Sequence, residues 1–384
     1  MRTYYFDHAA TTPMHPDVVR TMLELMQGPG GNSSSMHAYG RAAKQQLNRS
    51  RDRISAALCC KPAELLFTSG GTESDNAALI GAARAQRKRG KSHIITSAGE
   101  HHAVLHTCEW LKKEEGFALT VLPVDSSGLT SPEHVRESMT PETGLVSIMH
   151  GNNEVGTIQP IGEIGEIVKA GGALFHVDAV QTLGHLDLNL RELPVDLMSF
   201  SAHKINGPQG VGALYVASGT LLEAIQYGGS QERKRRAGTE NVAGIAGFAE
   251  AVDICVNDRQ KKQLFMDELR KRWIELLMTN VDVPIIVNGN EQNRLPHIVN
   301  ISFTGVDTEA MLMNLDMEGI AAASGSACTS GALERSHVLR AMHLPEEQIQ
   351  SAVRFSFGLG NTVKELEDAA YIVGTVVRRI RNNY

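Results

Sequence analysis

The chain has 384 residues and a formal charge of −6, from 37 basic and 43 acidic side chains. Apolar residues make up 42% and charged residues 21%, ordinary for a globular protein with room for two or three domains. This balance excludes the electrostatic footprint of a nucleic-acid binder. No run approaches the roughly 18 apolar residues of a membrane span, and Met1–Ala10 lacks the apolar core of a signal peptide. A cytoplasmic protein with neither a membrane nor a direct nucleic-acid partner is expected. The five cysteines make no disulfide framework in a chain this long, so a special cysteine is expected to be reactive rather than structural.

From about residue 50 to 250, short β-rich runs alternate with helical patterns. Residues 64–71 read as a strand ending in a turn, followed by a helix. Residues 92–97, 118–124, 144–150, 173–180, 196–204 and 212–216 are further strand candidates. Such alternation predicts an α/β fold with a largely parallel sheet covered on both faces. Ligands of such sheets lie beyond the carboxyl ends of the strands. After about residue 260 the pattern changes to long amphipathic helices and a strand over 297–303. A last helix opens on Thr362 and Glu365, a capping-box pair, with Leu366, Ala369, Val373, Val377 and Ile380 on one face. The division is drawn at 14–259 for a large domain, with 1–13 and 260–384 forming a smaller α+β domain.

Polar residues just past the strands carry the chemistry. Lys204 follows a strand-like run and can form a Schiff base if burial lowers its pKa; taken alone it reads as a surface lysine. Asp178 ends the preceding run, HVDAVQ, with Gln181 three residues on. A carboxylate there can hold a proton on a pyridine nitrogen, and its plain alternative is a helix N-cap. The glycines of TSGGTESD (68–75), ahead of a helix N-terminus, suit a phosphate. In Glu100-His101-His102, a histidine can stack on a flat ring or act as acid and base. His102 and His106, four apart on an expected helix, offer a metal pair instead, but no well-spaced third ligand is evident. Residues 321–332, AAASGSACTSGA, are all small and carry one strong nucleophile, Cys328. Nothing bulky anchors them, which predicts a mobile loop delivering a thiol; a buried cysteine in a tight turn is the alternative. Cys59, Cys60, Cys108 and Cys255 lie in apolar surroundings. Arg354, on an expected strand, can grip a carboxylate with two parallel hydrogen bonds or form a structural ion pair. The basic run Arg233–Arg236 reads as solvated surface, or as a contact with a partner subunit or acceptor.

Taken together, YFDHAATTP (5–13), FTSGGTESDN, EHHAV, HGNNEVGTIQP, HVDAVQ, SAHKINGPQGVGALYV, RRAGTENVAGIAG, SGSACTSG and RFSFGLGNT (354–362) resemble the cysteine desulfurases of the class V aminotransferase group, of the nitrogen-fixation and iron–sulfur-assembly type, over nearly the whole chain. The resemblance implies the fold type I of pyridoxal-phosphate-dependent transferases, with a seven-stranded sheet, and a homodimer. It implies that Lys204 carries pyridoxal 5'-phosphate, Asp178 pairs with its ring nitrogen, Gln181 bonds the ring hydroxyl and His101 stacks on the ring. Gly71, Thr72, Ser201 and His203 would hold the phosphate, joined by Thr239 from the partner subunit. Asn153 and Arg354 would bind at the cofactor and the substrate carboxylate. Cys328 would take sulfur from L-cysteine as a persulfide, leaving L-alanine, and pass it to a sulfur-acceptor protein: a scaffold, a tRNA-thiolation enzyme or a sulfur carrier. No resident metal is expected, with Cys328 at most a transient iron–sulfur ligand. The SGSACTS signature resembles the subgroup with a long mobile cysteine loop. Ala202 stands where SGHK is more usual, and the chain ends soon after its last helix, which bears on scaffold docking. Rival readings are a selenocysteine lyase or other aminotransferase-like enzyme, a non-catalytic partner-binding subunit, and a thiol-based sensor.

Overall fold

The computed structural model describes residues 3–325 and 335–382. The seven runs read as strands between residues 64 and 216 join one sheet. Its order is Leu65–Thr68, Gly212–Val216, Leu197–Ser201, Leu174–Asp178, Thr143–Ser147, His93–Ser97 and Ala118–Leu122. Only Gly212–Val216 runs antiparallel to its neighbours; the other pairings are parallel. Because side chains alternate across a strand, adjacent residues enter opposite layers. Ile94, Leu145 and Leu197 pack with Ala78, Val104 and Leu111 of the helices Gly71–Arg87 and His102–Glu115. Ile95, Val146 and Met198 pack on the other face with Ile164 and Phe248. Both faces are therefore dry, which explains the near-continuous apolar runs.

A further core gathers around the fully buried Trp273. Its ring lies 5.3 Å from Phe6 and 5.0 Å from Phe355. The antiparallel strands Ile285–Asn288, Ile298–Phe303 and Ala352–Ser356 supply one side. The helices Arg259–Asn280 and Val363–Asn382 supply the other. The last helix starts as its capping box predicts. The amide of Thr362 donates to Glu365 Oε2 at 3.0 Å, and the amide of Glu365 to Thr362 Oγ1 at 3.3 Å.

The N-terminal segment joins the two regions. Tyr4–Tyr5 pairs in parallel with Ile320–Ala321, Asp7 bridges to Ser356, and the amide of Ala9 donates to Ser356 Oγ at 2.8 Å. The chain then reaches the large sheet, where Thr12 Oγ1 donates to the carbonyl of His203 at 2.7 Å. Passage of this segment over the strand end leaves no room beside it. A Cβ on Gly358 would lie 2.1 Å from Nδ1 of the buried His8. Gly358→Ala is expected to cost about 1–3 kcal/mol through overpacking, read as a lowered denaturant midpoint with an unchanged slope.

Candidate active site

One cavity of about 500 Å³ opens at the carboxyl edge of the large sheet, where the strand rule places ligands. Asp178 closes the strand Leu174–Asp178, and Lys204 ends the short turn Ala202–Lys204 that follows Leu197–Ser201. Both line the cavity, as does Gln181. His101 enters as the N-cap of His102–Glu115, and Gly71 and Thr72 open the helix that follows Leu65–Thr68. Ser201, His203, Asn153 and Arg354 lie on the same lining. Thr239 does not join them; it is exposed on the surface of this subunit. Cys328 lies outside the described residues.

Desolvation governs the titratable groups. Burial pushes the Lys204 amine down to about 8, helped by the positive Arg354 and opposed by Asp7 and Asp178. Its Nζ donates to the carbonyls of Ala9 and Ala10 at 2.5 and 2.8 Å. Burial pushes the Asp178 carboxyl up to about 6, against the pull of the Val180 amide and Lys204. That amide donates to Asp178 Oδ1 at 2.9 Å, but residues 180–185 form turns and no helix starts there, so Asp178 is not the helix N-cap of the alternative reading. His101 is pushed down to about 4 by burial and then by Lys204. Its Nδ1 accepts from the amide of Ala103 at 3.1 Å, so the neutral ring carries its proton on Nε2. His203 is likewise lowered to about 4.

The residues fit a flat, phosphate-bearing aldehyde cofactor on several counts. A Cβ on Gly71 would lie 2.6 Å from Val180 Cγ2, so only glycine lets the helix N-terminus approach the strand end that carries Asp178. Beneath the site, Asp75 is fully buried, raised well above the usual carboxylate range by burial and then by Asp178, and its Oδ1 has no hydrogen-bond partner. Glu100 Oε1 accepts from the amide of Met149 at 2.7 Å, while its Oε2 has no partner. Burial raises Asp75 and Glu100 well above the usual carboxylate range, so Asp178, at the strand end on the cavity lining, is the carboxyl that would pair with a cationic ring nitrogen. Arg354 donates from Nη1 to the carbonyl of Asn153 and from Nη2 to Asp7 Oδ1, both at 2.8 Å. These two bonds use two of the five guanidinium N–H donors, and the buried Nε has no partner.

Sequence reasoning did not single out Asp7, the Ala9 and Ala10 carbonyls, Asp75 or Glu154, although all lie within motifs quoted above. They have no periodic pattern, and only distant contacts bring them to the cavity. The basic run also differs from a solvated face. Arg233 and Lys234 are exposed, but Arg236 is paired with Glu73 at 2.8 Å, beside the Gly71–Thr72 turn. His102 and His106 stack nearly parallel with ring centroids 4.7 Å apart. Among the described residues, no group of three or more histidine, cysteine or acidic side chains is arranged to hold a metal ion.

The aminotransferase class-V profile matches residues 4–368, so the chain belongs to that family. Within it, the cysteine desulfurase IscS of Dictyoglomus turgidum is 44% identical, over 99% of this chain and 96% of its own. A solved NifS-like protein superposes with a TM-score of 0.92 at 35% identity, covering 98% of this chain and 100% of its own. The structure of SspA in complex with cysteine gives 0.81 at 32%, covering 92% and 99%.

A lysine held near pH 8 has a signature independent of any ligand. In the cofactor-free protein, acylation of Lys204 is expected to rise between pH 7 and 9, while exposed lysines respond above about pH 10. Peptide mass spectrometry after brief labelling across pH reads both; a Lys204 midpoint near 10.5 would contradict the burial described.

Proposed function

We propose that this protein is a pyridoxal-phosphate-dependent cysteine desulfurase that takes sulfur from L-cysteine onto Cys328 and releases L-alanine. The observation that carries the reading is the convergence of Lys204, Asp178, His101 and Arg354 on one cavity. The similarity to cysteine desulfurases along nearly the whole chain supports it, as does that of a solved relative bound to cysteine. When bound, pyridoxal phosphate supplies an electron sink for the substrate carbon atoms.

The chain's own groups do the rest. Lys204 anchors the cofactor, and with a pKa near 8 its amine can take a proton from the substrate Cα and return it near neutral pH. Asp178 holds the proton on the ring nitrogen, and His101, neutral at pH 7, stacks on the ring with its Nε2–H available as a donor. Gly71, Thr72, Ser201 and His203 cradle the phosphate, with Thr239 of a second copy completing it in a homodimer. Gln181 bonds the ring hydroxyl. Arg354, with Asn153, receives the substrate carboxylate. The Cys328 thiolate then forms an S–S bond to the substrate sulfur. The Cβ–S electron pair stays with carbon, which gains a proton to become the methyl group of alanine. The persulfide passes to a sulfur-acceptor protein in the cytoplasm. On this reading residues 14–259 form the cofactor domain, and residues 1–13 with 260–384 form the smaller one. Packing of Tyr4 and Phe6 with Trp273, apart from the core of Val18 and Phe248, supports that division. No described helix is long and apolar enough to cross a membrane.

Three variants test the assignments. Cys328→Ala is expected to bind cofactor and respond spectrally to L-cysteine yet form no persulfide; normal alanine and sulfide turnover would refute its role. Lys204→Ala is expected to lose borohydride-fixable cofactor, and fixation at another lysine would move the site. Arg354→Ala, which removes a buried charged anchor, is expected to cost about 2–4 kcal/mol in substrate binding, a rise in KM of roughly 30-fold or more. Steady-state kinetics with L-cysteine read it.

A further inference from the structure

Glu154 has no role in the reading above, yet it is one of the most constrained side chains at the cavity. The preceding Asn152 fixes its backbone. Asn152 Oδ1 accepts from the amides of Glu154 and Val155 at 2.8 and 2.9 Å, and its Nδ2 donates to the carbonyl of Gly99 at 3.0 Å. The Glu154 side chain is buried, with 2% of the residue exposed. A bare carboxyl in that position is costly. Burial raises its pKa, opposed in part by the Ser336 hydroxyl, which donates to Oε2 at 2.5 Å, and by the positive Arg354.

Two contacts set Glu154 apart. Ser336 Oγ also accepts from the amide of Leu339 at 3.0 Å, capping the helix His337–Ala341. The Glu154 side chain is thus wired to Ser336, the N-cap of the helix His337–Ala341. On the other side, Gly325 lies against the same group; a Cβ there would sit 2.6 Å from Glu154 Oε2 and 2.9 Å from its Cδ. One side chain therefore touches the chain both before and after the stretch that carries Cys328. The stem before it is also tied to Arg354, through paired backbone bonds with Ala323 of 2.6 and 3.1 Å. The residues that Glu154 touches, Gly325 and Ser336, flank Cys328 in the sequence.

We propose that Glu154 is a positioning residue that fixes the stems at Gly325 and Ser336 and thereby sets how the Cys328 thiol is delivered to the cavity. The inference rests on the desulfurase reading, and its test separates the two. In the holoenzyme, persulfide on Cys328 is measured by rapid quench with L-cysteine, alkylation and mass spectrometry. The cofactor's absorbance change on L-cysteine binding is followed in parallel. Glu154→Ala is expected to slow persulfide formation about 10- to 100-fold, the scale of a misplaced reacting group. The amplitude and half-saturation of the absorbance change should be preserved. Ser336→Ala is expected to act in the same direction, and the double variant to be no slower than the slower single one, since the two act through one contact. Glu154→Gln keeps an acceptor for Ser336 and is expected to restore most of the rate.

A second readout needs no turnover. In the cofactor-free protein, trypsin cleavage after the exposed Arg335 reports release of the stem. Glu154→Ala and Ser336→Ala are each expected to raise it about 10-fold, and Glu154→Gln to leave it near wild type. A wild-type persulfide rate in Glu154→Ala, an equal loss of the absorbance change and of persulfide, independent multiplication of the two variants' losses, or unchanged cleavage would each overturn the proposal. If Glu154→Ala does not fold, Ser336→Ala and Glu154→Gln decide by the same measurements. If the wild-type protein forms no persulfide, the desulfurase reading falls, and the cleavage rates still decide whether Glu154 holds the stem.

Discussion

An amine and a carboxyl buried in one cleft are the constraint from which the rest of this site follows. Taking either from water disfavours its charged form, so Lys204 is driven down to about 8 and Asp178 up to about 6. Their titrations fall on either side of neutral pH, where small changes in environment shift protons between neighbours. The fold sustains this because it satisfies the amine with two backbone carbonyls and the carboxyl with one backbone amide. Neither partner is a side chain that can swing away.

The carbonyls come from a segment with little local structure of its own. Residues 7–12 are held at one end by Ser356 of the smaller sheet and at the other by His203. Gln181 adds a bond from its Nε2 to the carbonyl of Ala9 at 2.9 Å. The same region supplies Asp7 to Arg354. A stretch without helix or sheet periodicity thereby forms the floor of the cavity and couples the lysine to the arginine.

Much of this was legible in the sequence. Every strand of the large sheet was marked by an apolar run, because a sheet covered on both faces buries most side chains along its inner strands, although the edge strand Ala118–Leu122 keeps Ala118 and Val121 exposed. Lys204, Asp178 and Gly71 were marked by their places just past strand ends, where parallel sheets bind ligands. What escaped were groups that matter through contacts across hundreds of residues. Asp7 meets Arg354, Glu154 meets Ser336, and Asp75 lies under Asp178. Spacing along the chain carries no sign of such pairs, and a lone buried acid looks the same in sequence as an exposed one. Arg236 was misleading for the same reason, since its partner Glu73 is far away in the chain.

The bridge between Asp7 and Ser356 has a consequence for how the protein is made. Residue 356 is made long after residue 7, so the pairing that seats the N-terminal segment must wait until everything between them has been translated. The large sheet can form earlier, since its strands end at Val216 and domains fold as units during synthesis. During that interval the nascent chain has Lys204 and Asp178 without the floor beneath them. A ribosome-bound intermediate of this kind is ordered in its main sheet but incomplete at its reactive centre, which becomes whole only when Asp7 and Ser356 can meet.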